Sequence, residues 1–483
     1  LTFDTEEGEQ VEVQMGVSFV SMENARLNLD TEQQGKNFGQ VLEEARRRWN
    51  DDLSRILVEG GTEEQKIVFY TALYHTLIHP NILQDVNGEY PAMESDKILT
   101  TQGDRYTVFS LWDTYRNVHQ LLTLVYPERQ LQMVRSMLDM YREHGWLPKW
   151  ELYGRDTLTM EGDPSIPVIV DTWLKGLRDF DIELAYEAMR KGATLPGAEN
   201  LLRPDNDDYV SLGYVPLREQ YDNSVSHALE YYIADNALSR IAAALGKKED
   251  ARLFHERSLG YKHYYCKEYG TFRPILPNGE FYAFFDPRQG ENFEPNPGFH
   301  EGCAWNYTFY VPHDVKGLAR LMGGKKPFVD KLQRVFDEGL YDPANEPDIA
   351  YAHLFSYFKG EEWRTQKELH RLLQKYFKNA PDGIPGNDDT GTMSAWAIFN
   401  MMGFYPDCPG EPAYTLSTPV FDKVTIKLDP KYWGRDQLVI ETERPSAESL
   451  YIREMELGGK KLSRYRITHE ELVQSGKLRF SLR

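Results

Sequence analysis

Cysteine is almost missing from this sequence: Cys266, Cys303 and Cys408 are the only three among 483 residues, far apart and odd in number. That excludes a disulfide framework, and without a CxxC pair it excludes a thiolate metal cluster, leaving room for one incidental disulfide. Long apolar runs are missing too. Hydrophobic residues make up 41% of the chain, ample for a core, but no stretch approaches the ~18 to 20 apolar residues of a membrane helix. Basic charge is in deficit, with 55 Lys and Arg against 75 Asp and Glu and a formal charge of −20. Nucleic acid and anionic membrane surfaces, which need a clustered basic face, are therefore poor partners. A neutral or cationic ligand suits the balance better, although acidity also serves solubility alone. Gly-rich phosphate loops, a GxSxG elbow and any fixed repeat of about 33 to 40 residues are absent as well. The sequence opens at Leu1 with neither Met nor an apolar leader, which leaves open whether a signal peptide was removed.

What the sequence has in abundance is helical pattern. At 483 residues the chain exceeds the size at which a single core stops growing, so one large domain with a smaller companion is expected. About a dozen stretches, from FGQVLEEARRRWNDDLSRIL to TMSAWAIFNMM, repeat apolar residues at three- and four-residue spacing. Many stop at Gly or before Pro, as at Gly145, Gly246, Gly360 and Gly403. Paired helices without a fixed repeat point to a closed ring of helical hairpins, an (α/α) toroid over 23–404. VEVQMGVSFV, residues 11–20, alternates like a half-buried strand, and without partners nearby it reads as the tail, 1–22, of a β-domain otherwise absent from the chain. From about Tyr405 the alternating runs KVTIKL, QLVIET, SLYIRE and KLRFSL predict a small C-terminal β-domain, 405–483.

Four stretches are too polar and aromatic to be plain connectors: FSLWDTYR (109–116), HGWLPKWELYGRDTLTMEGD (144–163), FHEGCAWNY (299–307) and GIPGNDDTGTMSAW (383–396). They hold Trp112, Asp113, Arg116, Trp146, Trp150, Glu151, Glu161, Asp163, Glu301, Trp305, Asp388 and Asp389. Indoles mixed with carboxylates suit a sugar cleft, where apolar sugar faces lie on rings and carboxylates bind hydroxyls or move protons. Simpler readings exist. Asp113 also reads as an N-cap, Glu301 as an acid favoured by a helix dipole, and one of Asp388 and Asp389 as a cap, though a cap does not require the pair. His75 and His79, at i, i+4 spacing, resemble half a zinc site, but the general-base Glu of HExxH is missing and the segment is apolar, which favours core packing.

FSLWDTYR, LPKWELYG followed by MEGDPSIPVIVDTWLKGLRDFD, EGCAWNYTFYVPHDVKGL, NEPDIAYAHLFSYF with WRTQ after it, and GNDDTGTMSAWAIFNMMGFYPDCPG together resemble the glycoside hydrolase family 92 α-mannosidases, in family order and over nearly the whole chain. The resemblance implies a calcium-dependent, exo-acting enzyme that removes terminal mannose from glycans with inversion, with α-1,2 as the implied linkage. It implies an N-terminal β-sandwich ahead of an (α/α)6 barrel, so that residues 1–22 are the remnant of that sandwich and the missing part completes the active site. It implies export to the periplasm, the cell surface or the medium. By residue, it implies Glu301 as general acid and the acidic pair as general base, Asp389 before Asp388. Trp112 and Asp113 would line the subsite for the terminal mannose, with Arg116, Trp150 and Trp305 as further substrate-binding candidates. Asn345, Glu346 and Asn306 match the neighbourhood of the Ca2+ site. An inverting pair stands ~6.5 to 9.5 Å apart so that water fits between base and sugar.

The chain departs from the expected pattern at Cys303 and Asn306, where the family runs closer to EGNAWQY, and at Thr390 and Thr392, where Cys and Gln are more usual. The shorter Asn306 would reshape the metal site, and linkage preference could shift with it. Two other readings stand beside the mannosidase: another exo-hydrolase on the same toroid, of the glucoamylase or trehalase kind, and a glycan-binding protein without turnover.

Overall fold

A computed structural model describes residues 2–218, 223–290 and 294–483. The chain is mainly helical, and two kinds of helix alternate along it. Val118–Val125, Ser165–Leu174, Ser224–Ala244 and Thr392–Met402 are buried over most of their length, and in Thr392–Met402 all 11 residues are inaccessible. Pro127–His144, Ile182–Thr194, Lys248–Ser258, Lys325–Asp337 and Glu362–Tyr376 bury one face only. A helix apolar all round must lie inside and an amphipathic one outside, so the sequence pattern sorts them into two layers. Ser224–Ala244 packs on Lys248–Ser258 and Ser165–Leu174, and Val118–Val125 packs on Pro127–His144 and Ser165–Leu174. Thr392–Met402 packs on both Val118–Val125 and the early helix Glu63–His75, so segments from opposite ends of the chain meet.

Local chemistry fixes the ends of several helices. Asn37 with Gln40, Thr62 with Gln65 and Thr468 with Glu471 form reciprocal capping boxes, and Gly145 and Gly403 close their helices as expected. Gly246 lies one residue past the C-cap Leu245, and Gly360 in the turn before Glu362–Tyr376. All three cysteines are buried and none is joined to another by a disulfide. No helix among the described residues is long and apolar enough to cross a membrane.

The C-terminal sheet differs from expectation in its membership. Its six strands run in the order Ile56–Glu59, Lys423–Lys427, Gln437–Glu443, Lys477–Leu482, Ile452–Leu457 and Lys460–Leu462. Gln437–Glu443 and Lys477–Leu482 are parallel and the other neighbours antiparallel. The first strand comes from within the helical region, so the boundary at 405 does not isolate the sheet. Four residues between two helices are too few for alternation to be legible. Residues 11–20 form no strand. Val13 and Met15 are 69% and 74% exposed and Val11, Val17 and Phe19 are exposed with them, because no strand among the described residues pairs with this stretch.

Candidate active site

Backbone strain marks the site. Among the described residues eight non-glycine positions have positive φ, and six of them, Tyr153, Leu158, Met160, Glu301, Asp389 and Thr390, lie in the stretches singled out above. Such conformations cost about 1–3 kcal/mol each and persist only where surroundings enforce them, typically at functional sites. Glu301 (φ 50°) precedes the N-cap Cys303 of the short helix Ala304–Tyr307, so it is not in a helix's first turn and the dipole reading fails. Its loop is pinned by Asn345 Nδ2, which donates to the Glu301 carbonyl, by Asn296 Nδ2 to the Gly302 carbonyl at 3.0 Å, and by the Tyr307 hydroxyl to the His300 carbonyl at 2.6 Å.

Asp389, Thr390 and Gly391 are three consecutive left-handed residues (φ 46°, 52° and 93°). At Gly391 any Cβ would come within 2.9 Å of the Thr76 Cα, and at Gly386 within 2.7 Å of the Ala344 Cβ. The first approach seats the acidic loop on the end of helix Glu63–His75, and the second seats it against the segment carrying Asn345 and Glu346. Trp396 completes the clasp by donating from Nε1 to the Ile349 carbonyl at 2.7 Å.

The two adjacent aspartates divide their work. Asp388 Oδ1 accepts from the Ser394 backbone N–H at 2.9 Å and its hydroxyl at 2.7 Å, and His75 Nδ1 stands 3.8 Å from Oδ2. Asp388 thus serves as a cap from three residues before the N-cap position, Gly391, by satisfying a first-turn N–H of Thr392–Met402. Asp389 instead meets Glu346 side chain to side chain, and its charge bears on Glu301 and Asp113. Burial holds the Asp113 carboxyl well above the usual range, aided by Asp389 and opposed by the Ser110 hydroxyl and Arg116. Burial does the same to Glu346, reinforced by Asp113 and Asp389. Glu301, more open, is raised by burial and then by Asp389 and Asp342. Carboxyls that outnumber the one nearby guanidinium, Arg116, favour the protonated form of Asp113 and Glu346.

Asp113 is not an N-cap: Ser110 holds that position before Leu111–Thr114, and Asp113 receives the Ser110 hydroxyl. Trp112 is buried beside it, with Nε1 unpartnered. Trp150 is half-buried on Trp150–Leu152, whose pairing with Phe109–Ser110 joins two of the motifs.

Three of the expected site residues have partners within the protein. Arg116 donates to Glu230 at 3.0 Å, to the Trp112 carbonyl at 3.0 Å and to the Tyr310 hydroxyl, so its guanidinium is spent beneath Trp112 rather than offered to a ligand. Arg116→Ala strands a buried Glu230 carboxylate, and a stability loss of about 3–5 kcal/mol is expected in urea titrations. Trp305 turns its ring under Lys331 Nζ (3.6 Å) and Arg334 (5.0 Å) of the helix Lys325–Asp337, where cation–π packing keeps it. Asn306 uses both ends of its amide: Oδ1 accepts from the Cys303 backbone N–H at 3.1 Å and thiol at 2.8 Å, and Nδ2 donates to the Leu340 carbonyl and to Asp348. Both ends of the amide are thus engaged within the protein.

Glu151 and Asp163 are structural too, the first bound by Thr107, Val108 N–H and Gly154 N–H, the second by Arg203. His75 and His79 form no metal pair and are not core: both are half-buried, and His79 turns to Asn81 while His75 faces Ser394 and Asp388. Sequence reasoning passed over Glu230, whose signal was a carboxylate in the middle of the apolar helix Ser224–Ala244. It likewise passed over His227, whose partners Glu161 and Asp205 are distant in sequence.

Among the described residues no three His, Cys, Asp or Glu side chains surround a ready-made metal position. Two buried oxygens near the cluster do lack partners, Asn345 Oδ1 and Glu346 Oε1, and Thr390 Oγ1 is a third in the acidic loop. All are hard donors of the kind Ca2+ takes.

A helical scaffold presenting opposed carboxyls in strained, aromatic-walled loops defines a hydrolase-type carboxylate site. The catalytic-domain profile of glycosyl hydrolase family 92 matches residues 24–483, and the chain belongs to that family. A family GH92 α-mannosidase of Bacteroides thetaiotaomicron, solved alone and with mannoimidazole, is 32% identical with a TM-score of 0.88 alone; 96% of this chain and 61% of that one are covered. The family GH92 inverting mannosidase of the same organism is also 32% identical at a TM-score of 0.88, with 96% and 65% covered. An uncharacterized secreted glycosidase of Arthroderma benhamiae is 27% identical over 513 residues, 98% of this chain and 60% of the relative. The chain thus spans about three fifths of the length of the curated relative and the α-mannosidase structure it matches.

Proposed function

We propose that the protein is an exo-acting α-mannosidase that hydrolyses terminal α-linked mannose of glycans, α-1,2 linkages foremost, with inversion and with Ca2+ assistance. The observation that carries this is the opposition of Glu301, a half-open carboxyl pushed towards its protonated form, and Asp389, whose charge faces it while Asp388 is consumed as a cap. Glu301 donates its proton to the glycosidic oxygen as the bond to C1 breaks. Asp389 takes a proton from water as that water attacks C1 from the other face, so the sugar leaves as the β-anomer. Trp112 and Asp113 floor the subsite for the departing mannose.

Asn345 and Glu346 would hold the ion through their unpartnered oxygens. When bound, Ca2+ supplies a hard cation for the 2- and 3-hydroxyls of mannose, favouring a flattened, oxocarbenium-like ring. The two helix layers and the meeting of Glu63–His75 with Thr392–Met402 support a ring of six helical hairpins, an (α/α)6 barrel. The exposed alternate residues Val11 to Phe19 support a preceding β-domain that completes the cleft, and the secreted relative supports export.

Release of mannose from α-1,2-, α-1,3- and α-1,6-mannobiosides, with Ca2+ and with a chelator, tests the reading when the anomer is followed by NMR. Calcium-dependent appearance of β-mannose is expected, fastest from the α-1,2 compound. Release of glucose from α-glucosides instead would favour another exo-hydrolase, and binding of mannosides without release by the full-length protein would make it a lectin-like protein.

A further inference from the structure

His300 directly precedes Glu301 and has no part in the chemistry above. Its ring is nonetheless fixed from several sides. Trp112 meets it edge-on, with ring centres 5.8 Å apart and planes at 90°, and its backbone N–H donates to the Ser226 hydroxyl at 2.9 Å. Asn223 Nδ2 lies 2.9 Å from His300 Nδ1 and 2.8 Å from Glu161 Oε1, so the two N–H bonds of one amide serve both acceptors. Glu161 Oε1 also lies 3.2 Å from Nδ1; with Asn223 donating to both atoms we assign Nδ1 as an acceptor, which leaves the ring proton of a neutral imidazole on Nε2. Nε2 faces the Met160 sulfur at 3.1 Å and Glu301 Oε1 at 3.6 Å. Burial, with Lys149 nearby, pushes His300 down to about 4, so the imidazole is neutral at neutral pH. Glu161 is held in turn by His227, which rests on Asp205.

We infer that His300 is the positioning residue of the general acid: its Nε2–H, set by Asn223 and Glu161, engages one carboxyl oxygen of Glu301 and leaves the proton on the other, facing the glycosidic oxygen. A separation of 3.6 Å is long for a hydrogen bond, and contacts of this kind tighten when substrate closes the site. The inference rests on Glu301 being the acid. A purely structural His300 would support the loop equally for every substrate, whereas a positioning residue matters only where the leaving group needs a proton.

That difference sets the experiment, done on the full-length, calcium-loaded protein with an α-mannobioside and with 2,4-dinitrophenyl α-mannoside, whose leaving group needs no acid. His300→Leu is expected to lower kcat on the mannobioside about 100-fold, the lower end of general-acid effects, and to change kcat on the activated substrate less than about threefold. His300→Gln, which returns an N–H near the Nε2 position, should recover about tenfold on the mannobioside. Equal losses on both substrates, or no recovery in the Gln variant, would overturn the positioning role. Glu301→Gln is measured alongside. If it lacks the same split, the acid assignment fails and this inference with it; if it shows the split and His300→Leu does not, only this inference fails. Should the Leu variant not fold, Asn223→Leu removes the donor that sets the tautomer and must show the same substrate-dependent loss, or the role is refuted.

Discussion

Glu301→Gln is expected to cut turnover on mannobiosides by about 10³-fold, within the 10² to 10⁴ range of general-acid catalysis, while the fold stays intact. The side chain keeps its shape, and the amide removes repulsion from Asp389 and Asp342. Thermal stability at neutral pH should hold or rise slightly. The wild-type pH profile supplies a second check. If Glu301 is the acid as proposed, it acts in its protonated form, and because its pKa is raised the alkaline limb should lie above the ordinary carboxylate range, with activity falling as pH rises through that value. In the Gln variant that limb should vanish. A variant that keeps wild-type turnover on mannobiosides would remove Glu301 from the mechanism altogether.

Calcium removal is expected to be nearly as costly. Activity on mannobiosides should fall at least about 100-fold in a chelator and return with Ca2+, since an ion that binds the reacting sugar acts in the transition state. Stability gives an independent reading, with a definite sign. Asp113 and Glu346 titrate well above their ordinary values in the fold, so the folded chain holds more protons than the unfolded one between those limits. Their contribution is therefore full below the ordinary carboxylate pKa of about 4 and is lost as pH rises through the raised values. An ion on Glu346 offsets that loss. Ca2+ should raise the melting temperature more at pH 7.5 than at pH 5, and Ca2+ at 100 times its Kd adds about 2.7 kcal/mol. Glu346→Gln should abolish the pH-dependent part of the shift, and an equal shift in that variant would place the ion elsewhere.

Much of the helical layout was legible because burial imposes a period. Thr392–Met402 reads as apolar all round and Glu362–Tyr376 as one-sided, and each lies where that pattern requires. The acidic loop was legible for a different reason: two adjacent carboxylates between glycines make sense only if something holds them apart, and Ser394 on one side and Glu346 on the other do so. Side-chain direction was not legible. Trp305 and Arg116 carry the right chemistry for a sugar cleft, but Lys331 and Glu230 claim them, and those partners lie 26 and 114 residues away. Asn306 was lost for a local reason, since Cys303 at the N-cap captures the amide three residues on. The strand Ile56–Glu59 was invisible because its partner, Lys423–Lys427, is more than 360 residues downstream.

That last pairing sets a timetable for synthesis. Ile56–Glu59 emerges from the ribosome more than 360 residues ahead of Lys423–Lys427 and must wait for that strand before it is covered. Until then it is a bare edge with Ile56 and Val58 unsheltered, the kind of template that captures other chains. The helix Glu63–His75 waits likewise for Thr392–Met402. The nascent chain thus carries an aggregation hazard while those intervening residues are added, one that holdase chaperones are suited to mask. Deleting the C-terminal sheet would make the hazard permanent rather than release a working helical domain.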